Sequence, residues 1–204
     1  MTSLKNAQSP WLQARRWQRF TLLMVPGWKN SGPAHWQTAW EGINPAIRRV
    51  QQNDWDRPDP GSWISQLDAV VKASHQPVVL IAHSLGCITV AHWAEQTDGK
   101  GVAAALLVAP ADVERMEASP FLKGFAPIPT QQLPFATRVV ASDNDPCCTL
   151  ARAEQFAYRW QADLNVIPSG GHLNSDSDLG NWQTGQILLH DLVWRRRSAL
   201  IQYA

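Results

Sequence analysis

The sequence predicts an α/β protein with a single doubly wound, mostly parallel sheet and helices on both faces of that sheet. Short apolar runs alternate along the chain with helical patterns, which is the order expected for βαβ units. One of these runs, residues 102–109 (VAAALLVA), is apolar throughout, as in a parallel strand covered on both faces. A length of 204 residues suits a single core, so we expect one domain over residues 18–204.

The elements of the first half are bounded by proline, by glycine or by a change of periodicity. Apolar runs without alternation indicate buried strands, and apolar residues that recur every three or four positions indicate helices. A proline or glycine after such a segment ends it. We therefore expect, in order, a strand over 19–25, a helix from about 34 to before Pro45, a short strand over 47–51, a helix carrying Trp63 to Val71, a strand over 78–82 and a helix over 85–96.

The second half continues the alternation after one long interruption. We expect strands over 102–109, 136–142 and 164–168, and helices over 150–160 and 181–197. The interruption, residues 110–134, has no clear periodicity. A segment this long inside a compact domain is often a lid or binding loop, so it is either a small cap over the site or a solvated connector.

Charge and hydropathy exclude several classes of partner. A net charge of +1 with 17% charged residues gives neither a basic stripe for nucleic acid nor an acidic tail. No apolar run approaches the roughly 18 residues that span a bilayer, and the start of the chain lacks the apolar segment of a secretory signal. We expect a cytoplasmic protein with no membrane contact, in which residues 1–17 form a poorly ordered extension.

The three cysteines form no pattern for a disulfide framework or a metal site. An odd number in a chain without an export signal fits a reducing compartment. Cys87 is expected in the core, and the adjacent Cys147 and Cys148 lack the spacing of zinc ligands. Because the sequence also lacks a dinucleotide-binding glycine motif and a Walker A lysine, we expect no metal and no cofactor.

The most informative segment is Ala82-His83-Ser84-Leu85-Gly86, which follows a predicted strand. A serine in such a sequence is typical of a nucleophile elbow, a tight strand-to-helix turn that presents the hydroxyl above the sheet. Ala82 stands where glycine is usual and is the next smallest residue. Ser84 is therefore the predicted nucleophile, and it needs a base within reach and an acid that orients the base.

His172 and Asp145 are the predicted partners of Ser84. His172 ends the turn Ser169-Gly170-Gly171-His172 after the last strand, and this flexible turn can aim the imidazole across the sheet edge. Asp145 precedes Pro146 after the preceding strand, where an Asp-Pro pair directs a carboxylate toward the histidine Nδ1. Asp143 is the alternative acid and is otherwise expected to stabilise its own loop as an Asx turn.

Two backbone N–H groups are expected to stabilise the tetrahedral intermediate. One belongs to Leu85, directly after the nucleophile, and the other to Trp28, in the loop after the first strand. The Trp28 indole would then wall the pocket. His35 is either a second polar group near this loop or a structural residue at a helix N-terminus, and we expect the His83 ring to point away from Ser84.

With these residues placed, the sequence resembles the α/β-hydrolase superfamily and, within it, the small serine hydrolases of the YdeN and retinoblastoma-binding protein nine family. The resemblance spans about residues 19–192. It implies a fold with minimal or no cap, a triad of Ser84, Asp145 and His172, and carboxylic ester hydrolysis. The segments that carry it are Val25-Pro26-Gly27-Trp28, Ser31-Gly32-Pro33-Ala34-His35-Trp36-Gln37 with Trp40, Asp54-Trp55-Asp56 with Pro58 and Trp63, Ala82-His83-Ser84-Leu85-Gly86, and Gly171-His172.

The function predicted from the sequence is that of a serine hydrolase acting on a small carboxylic ester, thioester or amide through an acyl-enzyme. The alternative is a protein that keeps the hydrolase fold but mainly binds a protein or peptide partner. A count of eleven tryptophans motivates this second hypothesis, because exposed indoles could form a recognition surface.

Overall fold

The computed structural model describes residue 12, residues 15–115 and residues 118–201, with side chains described through Trp194. These residues form one open sheet of six parallel strands, in the order β2-β1-β3-β4-β5-β6. The strands are β1 (Thr21–Val25), β2 (Arg48–Arg49), β3 (Val78–His83), β4 (Val102–Val108), β5 (Ala136–Ser142) and β6 (Asp163–Ile167). The predicted parallel sheet is therefore confirmed, and β2 is shorter than expected.

Five α-helices connect or follow the strands within the described part of the chain. They are α1 (Trp36–Ile43), α2 (Pro60–Lys72), α3 (Leu85–Thr97), α4 (Leu150–Trp160) and α5 (Gln183–Ile201). Polar side chains cap three of them: His35 accepts from the Gln37 N–H, Asp59 from the Ser62 N–H and Thr149 from the Arg152 N–H. These caps end the preceding loops at defined residues.

The sheet separates two apolar cores, which confirms the doubly wound arrangement. On one face, α2, α3 and α4 pack over a core that includes Trp63, Trp93 and Trp160. On the other face, α1 and α5 pack over a core that includes Trp36 and Leu189. Because β3 and β4 are covered on both sides, their residues are nearly all buried.

The carboxyl ends of the strands carry the predicted site residues. In an open parallel sheet, ligands bind in the crevice outside these ends, where the strand order reverses. The chain turns into α3 directly after β3, and the loops after β5 and β6 emerge beside it. The topology thus brings Ser84, Asp145 and His172 to the same edge although they lie far apart in sequence.

The predicted N-terminal extension lies mostly outside the described residues. Leu12 and Trp17 are described, and both are buried in the core beneath α1 and α5. A 3-10 helix, Arg15–Arg19, leads into β1. No described helix is both long and apolar enough to cross a membrane.

Candidate active site

Ser84 occupies a strained turn between β3 and α3. Its backbone angles are φ 53° and ψ −121°. Residues other than glycine rarely adopt this region, and doing so costs on the order of 1–3 kcal/mol. The turn requires Gly86, because a Cβ there would lie 2.3 Å from the Val25 carbonyl oxygen. Ser84 stands at the N-cap of α3 without capping it, so its hydroxyl is free for another partner.

The structure brings the three predicted side chains into one hydrogen-bonded chain. His172 Nε2 lies 2.8 Å from Ser84 Oγ, and His172 Nδ1 lies 2.9 Å from each carboxylate oxygen of Asp145. The Asp145 side chain is only 2% exposed and also accepts a 2.7 Å hydrogen bond from the Cys147 N–H. Asp145, rather than Asp143, therefore contacts the imidazole and forms the Asx turn of its own loop.

Side chains of residues 142–144 fix the loop that carries His172. Asp143 Oδ1 accepts from the Ser169 N–H at 2.7 Å, and Asn144 Oδ1 accepts from the Gly171 N–H at 2.7 Å. Ser142 Oγ accepts from the Gly170 N–H at 2.9 Å. The Asp143 carboxylate thus accepts a hydrogen bond from the neighbouring loop. The prediction that Asp143 forms an Asx turn within its own loop is wrong.

Two further contacts hold the His172 segment from the side of the sheet. His83 Nε2 donates to the His172 carbonyl oxygen at 2.9 Å, and Trp36 Nε1 donates to the Leu173 carbonyl oxygen at 2.9 Å. Burial, reinforced by the charges of His172 and His35, lowers the pKa of His83 well below its usual value, so this ring is neutral. His83 fixes the backbone of His172 instead of contacting the Ser84 hydroxyl.

The charge state of His172 is set by competing effects. Burial lowers its pKa, but the hydrogen bonds with the side chains of Asp145 and Cys147 and the charge of Asp145 raise it to about 9. A carboxylate on Nδ1 also holds the proton there, which leaves Nε2 as the acceptor when the ring is neutral. The neutral form of His172 can therefore take a proton from Ser84.

Leu85 follows Ser84 directly, and Trp28 follows Gly27, whose backbone lies against Ser84. The Leu85 N–H begins α3, where the first amides lack intrahelical acceptors and the helix dipole favours negative charge. Among the described residues, neither the Leu85 N–H nor the Trp28 N–H donates to a protein acceptor. The loop after β1 approaches closely because Gly27 has no side chain: a Cβ there would lie 2.8 Å from Ser84 Cβ and 3.2 Å from the Leu85 nitrogen.

A cavity of about 580 Å³ opens over Ser84 and His172, within the range of small-molecule sites. Trp28 forms part of its wall, as predicted, and the Trp28 indole donates to the Asp56 carbonyl oxygen at 2.9 Å. Residues of the long segment 110–134 also line the cavity: Ala111, Asp112, Arg115, Ala118, Ser119 and Leu122. This segment is part of the cavity wall and contains the short 3-10 helix Pro120–Phe125.

Cys147 is a cavity residue that sequence reasoning missed. The Asx turn of Asp145 carries it to the same wall as His172, whereas Cys87 and Cys148 are buried as core residues. Possible metal-ligating atoms of Asp145, Cys147 and His172 lie within 4.8 Å of one another. Among the described residues, this is the cluster of three such side chains that could hold a metal ion. A metal on His172 Nδ1 would displace the proton that Nδ1 donates to the Asp145 carboxylate, so the two arrangements exclude each other.

The open parallel sheet and the strained serine after its central strand define an α/β-hydrolase. The serine hydrolase family matches residues 22–191, and the chain belongs to this family. The comparison with curated proteins finds no match.

Solved structures place the chain near the YdeN-like members of the superfamily. It is similar to a YdeN-like hydrolase from Pectobacterium atrosepticum SCRI1043, with 32% identity over 86% of this chain and 91% of that chain and a TM-score of 0.78. The ydeN gene product from B. subtilis shares 18% identity over 84% and 97% of the two chains, with a TM-score of 0.68. The type II thioesterase BorB from the borrelidin biosynthetic cluster shares the fold, with 18% identity over 85% and 91% and a TM-score of 0.60.

Proposed function

We propose that this protein hydrolyses a small carboxylic ester, or a related thioester or amide, through an acyl-enzyme on Ser84. The observation that carries the proposal is the hydrogen-bonded chain from Ser84 through His172 to the buried carboxylate of Asp145. Burial of that carboxylate beside a cavity large enough for a small ligand supports the same assignment. Membership of the serine hydrolase family supports the reaction class.

In the acylation step, Ser84 Oγ attacks the carbonyl carbon while its proton passes to His172 Nε2. The carbonyl oxygen gains the negative charge, and the N–H groups of Leu85 and Trp28 are the proposed donors to it. When the intermediate collapses, the bond to the leaving oxygen breaks and His172 returns the proton to that oxygen. Asp145 stays ionised throughout and stabilises the imidazolium.

In the deacylation step, water takes the place of the alcohol. His172 removes a proton from the water, whose oxygen attacks the acyl carbon, and the bond to Ser84 Oγ then breaks. The proton held by His172 passes to Ser84, which regenerates the hydroxyl and releases a carboxylic acid. Each histidine proton transfer uses the same Nε2 atom, so the tautomer fixed by Asp145 serves both steps.

The test of this proposal is covalent labelling with a fluorophosphonate, which forms a bond from phosphorus to the activated serine oxygen and releases fluoride. We expect the folded wild-type protein to be labelled on the peptide containing Ser84, as identified by mass spectrometry. Ser84→Ala should remain unlabelled, and Ser119→Ala, which alters another serine of the cavity wall, should label normally. Absence of labelling in folded wild-type protein would contradict the proposal.

The pH dependence of hydrolysis follows from the charge state of His172. With the pKa of His172 raised to about 9, most of the free enzyme carries a protonated His172 at neutral pH, and this form cannot accept the Ser84 proton. We expect kcat/KM to rise with pH and to reach half of its limiting value near pH 9. Initial rates of 4-nitrophenyl ester hydrolysis, corrected for the uncatalysed reaction, measure it; a value independent of pH from about 6 to about 10 would contradict the assignment.

Burial of the tryptophans weighs against a function based mainly on partner binding. Trp36, Trp40, Trp63, Trp93 and Trp160 are each at most 1% exposed. The other described tryptophans are buried or half-buried, so their indoles form no extended exposed surface. The tryptophan count that motivated the alternative is thus explained by core packing.

A further inference from the structure

The imidazole of His35 has one ring nitrogen in use and one without a partner. His35 lies at the N-cap of α1, where its Nδ1 accepts from the Gln37 N–H at 3.1 Å. Its Nε2 is buried and has no hydrogen-bond partner, although the residue is only 3% exposed. Leaving a buried donor unpaired costs about 1–3 kcal/mol. Since His35 also lines the cavity that contains Ser84, a molecule bound there can supply a partner.

The hydrogen bond between His35 and the first turn of α1 determines whether the other ring nitrogen, Nε2, is a donor or an acceptor. Because Nδ1 accepts from a backbone N–H, it carries no proton, and in the neutral ring the proton is on Nε2. Burial, together with the positive charges of Arg49 and His172, lowers the pKa of His35 to about 4, so the ring stays neutral near pH 7. His35 therefore presents an uncharged N–H donor, which suits an ether, hydroxyl or carbonyl oxygen.

Ring contacts place this donor relative to the reacting atoms. The ring of His35 packs against that of His83 with centroids 4.7 Å apart, and His83 packs against His172 with centroids 5.0 Å apart. His172 must return its proton to the leaving oxygen, so the alcohol part of a substrate lies beside His172. Among the described ring contacts, His35 is linked to His172 through His83 and not directly, and on this basis we assign the acyl part of the substrate to the His35 side of the cavity.

We propose that the His35 Nε2–H donates a hydrogen bond to an oxygen atom in the acyl chain of the substrate, near the reacting carbonyl. With this hydrogen bond, the enzyme prefers esters of alkoxy, hydroxy or keto acids to esters of simple alkanoic acids. This inference rests on the proposed hydrolytic function and adds the chemical class of its acyl group. His35 keeps its capping role toward α1 and uses the opposite side of the ring for recognition.

Two substitutions separate recognition from capping. In His35→Asn, the amide oxygen can replace Nδ1 at the N-cap, whereas nothing replaces the Nε2–H. In His35→Gln, the longer amide can place an N–H near the position of Nε2 but loses the short acceptor that caps α1. A structural role predicts that Asn rescues function, and a recognition role predicts that Gln does.

Matched esters provide the readout. In 4-nitrophenyl methoxyacetate, an ether oxygen replaces the third carbon of the acyl chain of 4-nitrophenyl butyrate, so the two esters have nearly equal size. The ratio of their kcat/KM values removes effects common to both substrates. We expect His35→Asn to lower this ratio about 3- to 10-fold, the range for one neutral hydrogen bond, and His35→Gln to change it less than about twofold. An unchanged ratio in His35→Asn overturns the proposal.

A binding measurement keeps this test separate from that of the hydrolytic function. The two corresponding 4-nitroanilides are titrated into Ser84→Ala protein with and without His35→Asn, and the ratio of their dissociation constants is compared. We expect the preference for the methoxyacetyl anilide to fall about 3- to 10-fold when His35 is replaced. Equal ratios, or no binding of either anilide, overturn the role of His35, whereas failure of wild-type protein to hydrolyse either ester overturns the proposed function.

Discussion

Ser84→Ala is expected to lower kcat for ester hydrolysis by about 10⁶-fold, the scale measured when a serine protease loses its nucleophile. Among the residues that the structure describes, the Ser84 hydroxyl is the group hydrogen-bonded to His172 Nε2, at 2.8 Å, so alanine removes the nucleophile. Alanine adopts the strained backbone of this turn no less readily than serine, and the side chain caps no helix. The unfolding midpoint should therefore change little, and steady-state kinetics with thermal denaturation measure both quantities.

The matched control is Ser119→Ala. Ser119 lines the same cavity, and its side chain makes no capping hydrogen bond to the 3-10 helix that follows it. We expect this variant to hydrolyse esters at nearly the wild-type rate. If Ser84→Ala retained a substantial fraction of wild-type turnover in folded protein, the acyl-enzyme mechanism on Ser84 would be wrong.

The bounds of a helix or strand were predictable where the local sequence pattern alone determines them. Residues 136–142 and 150–160 have the predicted bounds as β5 and α4. The first segment is centred on the β-branched pair Val139 and Val140, and the second is amphipathic and follows a capping threonine. The strand at 47–51 was predicted too long. Only Arg48 and Arg49 pair with β1, since β2 is an edge strand with a single neighbour.

The candidate site was predictable as a set of side chains but not as a set of contacts. Each of Ser84, Asp145 and His172 follows a strand, and parallel strands end at the same edge of a sheet. The hydrogen bond from His83 to the His172 carbonyl joins residues 89 positions apart, and no local pattern encodes it. The position of Cys147 on the cavity wall depends on how the Asx turn of Asp145 meets the His172 loop.

The same long-range pairing explains why the two aspartates of one loop have different tasks. Asp143 was a candidate acid because its side chain also follows β5. In the structure its carboxylate accepts from the Ser169 N–H, which braces the loop carrying His172 without contacting the imidazole. Adjacency of β5 and β6 creates this contact, and adjacency is a property of the whole sheet.

Asp145→Asn is expected to lower kcat by about 10⁴-fold, the scale found when the orienting carboxylate of a serine protease is replaced by an amide. The new amide can donate to His172 Nδ1, which favours the tautomer with the proton on Nε2, and that tautomer cannot accept from Ser84. Loss of the carboxylate also removes hydrogen bonds and a charge that raise the pKa of His172, while burial, which lowers this pKa, remains. The residual kcat/KM should therefore rise with pH at a lower pH than in wild-type protein.

Asp143→Asn is the matched control, since it makes the same chemical change two residues away. An asparagine oxygen can still accept from the Ser169 N–H, so we expect turnover to fall less than about tenfold and the pH profile to keep its wild-type position. Kinetics over pH for both variants, with unfolding midpoints to exclude misfolding, decide between the two carboxylates. Near wild-type turnover in Asp145→Asn with a loss of about 10⁴-fold in Asp143→Asn would transfer the role of the acid to Asp143. A large but equal loss in both variants would instead show that bracing of the His172 loop, and not orientation of the imidazole by Asp145, limits the reaction.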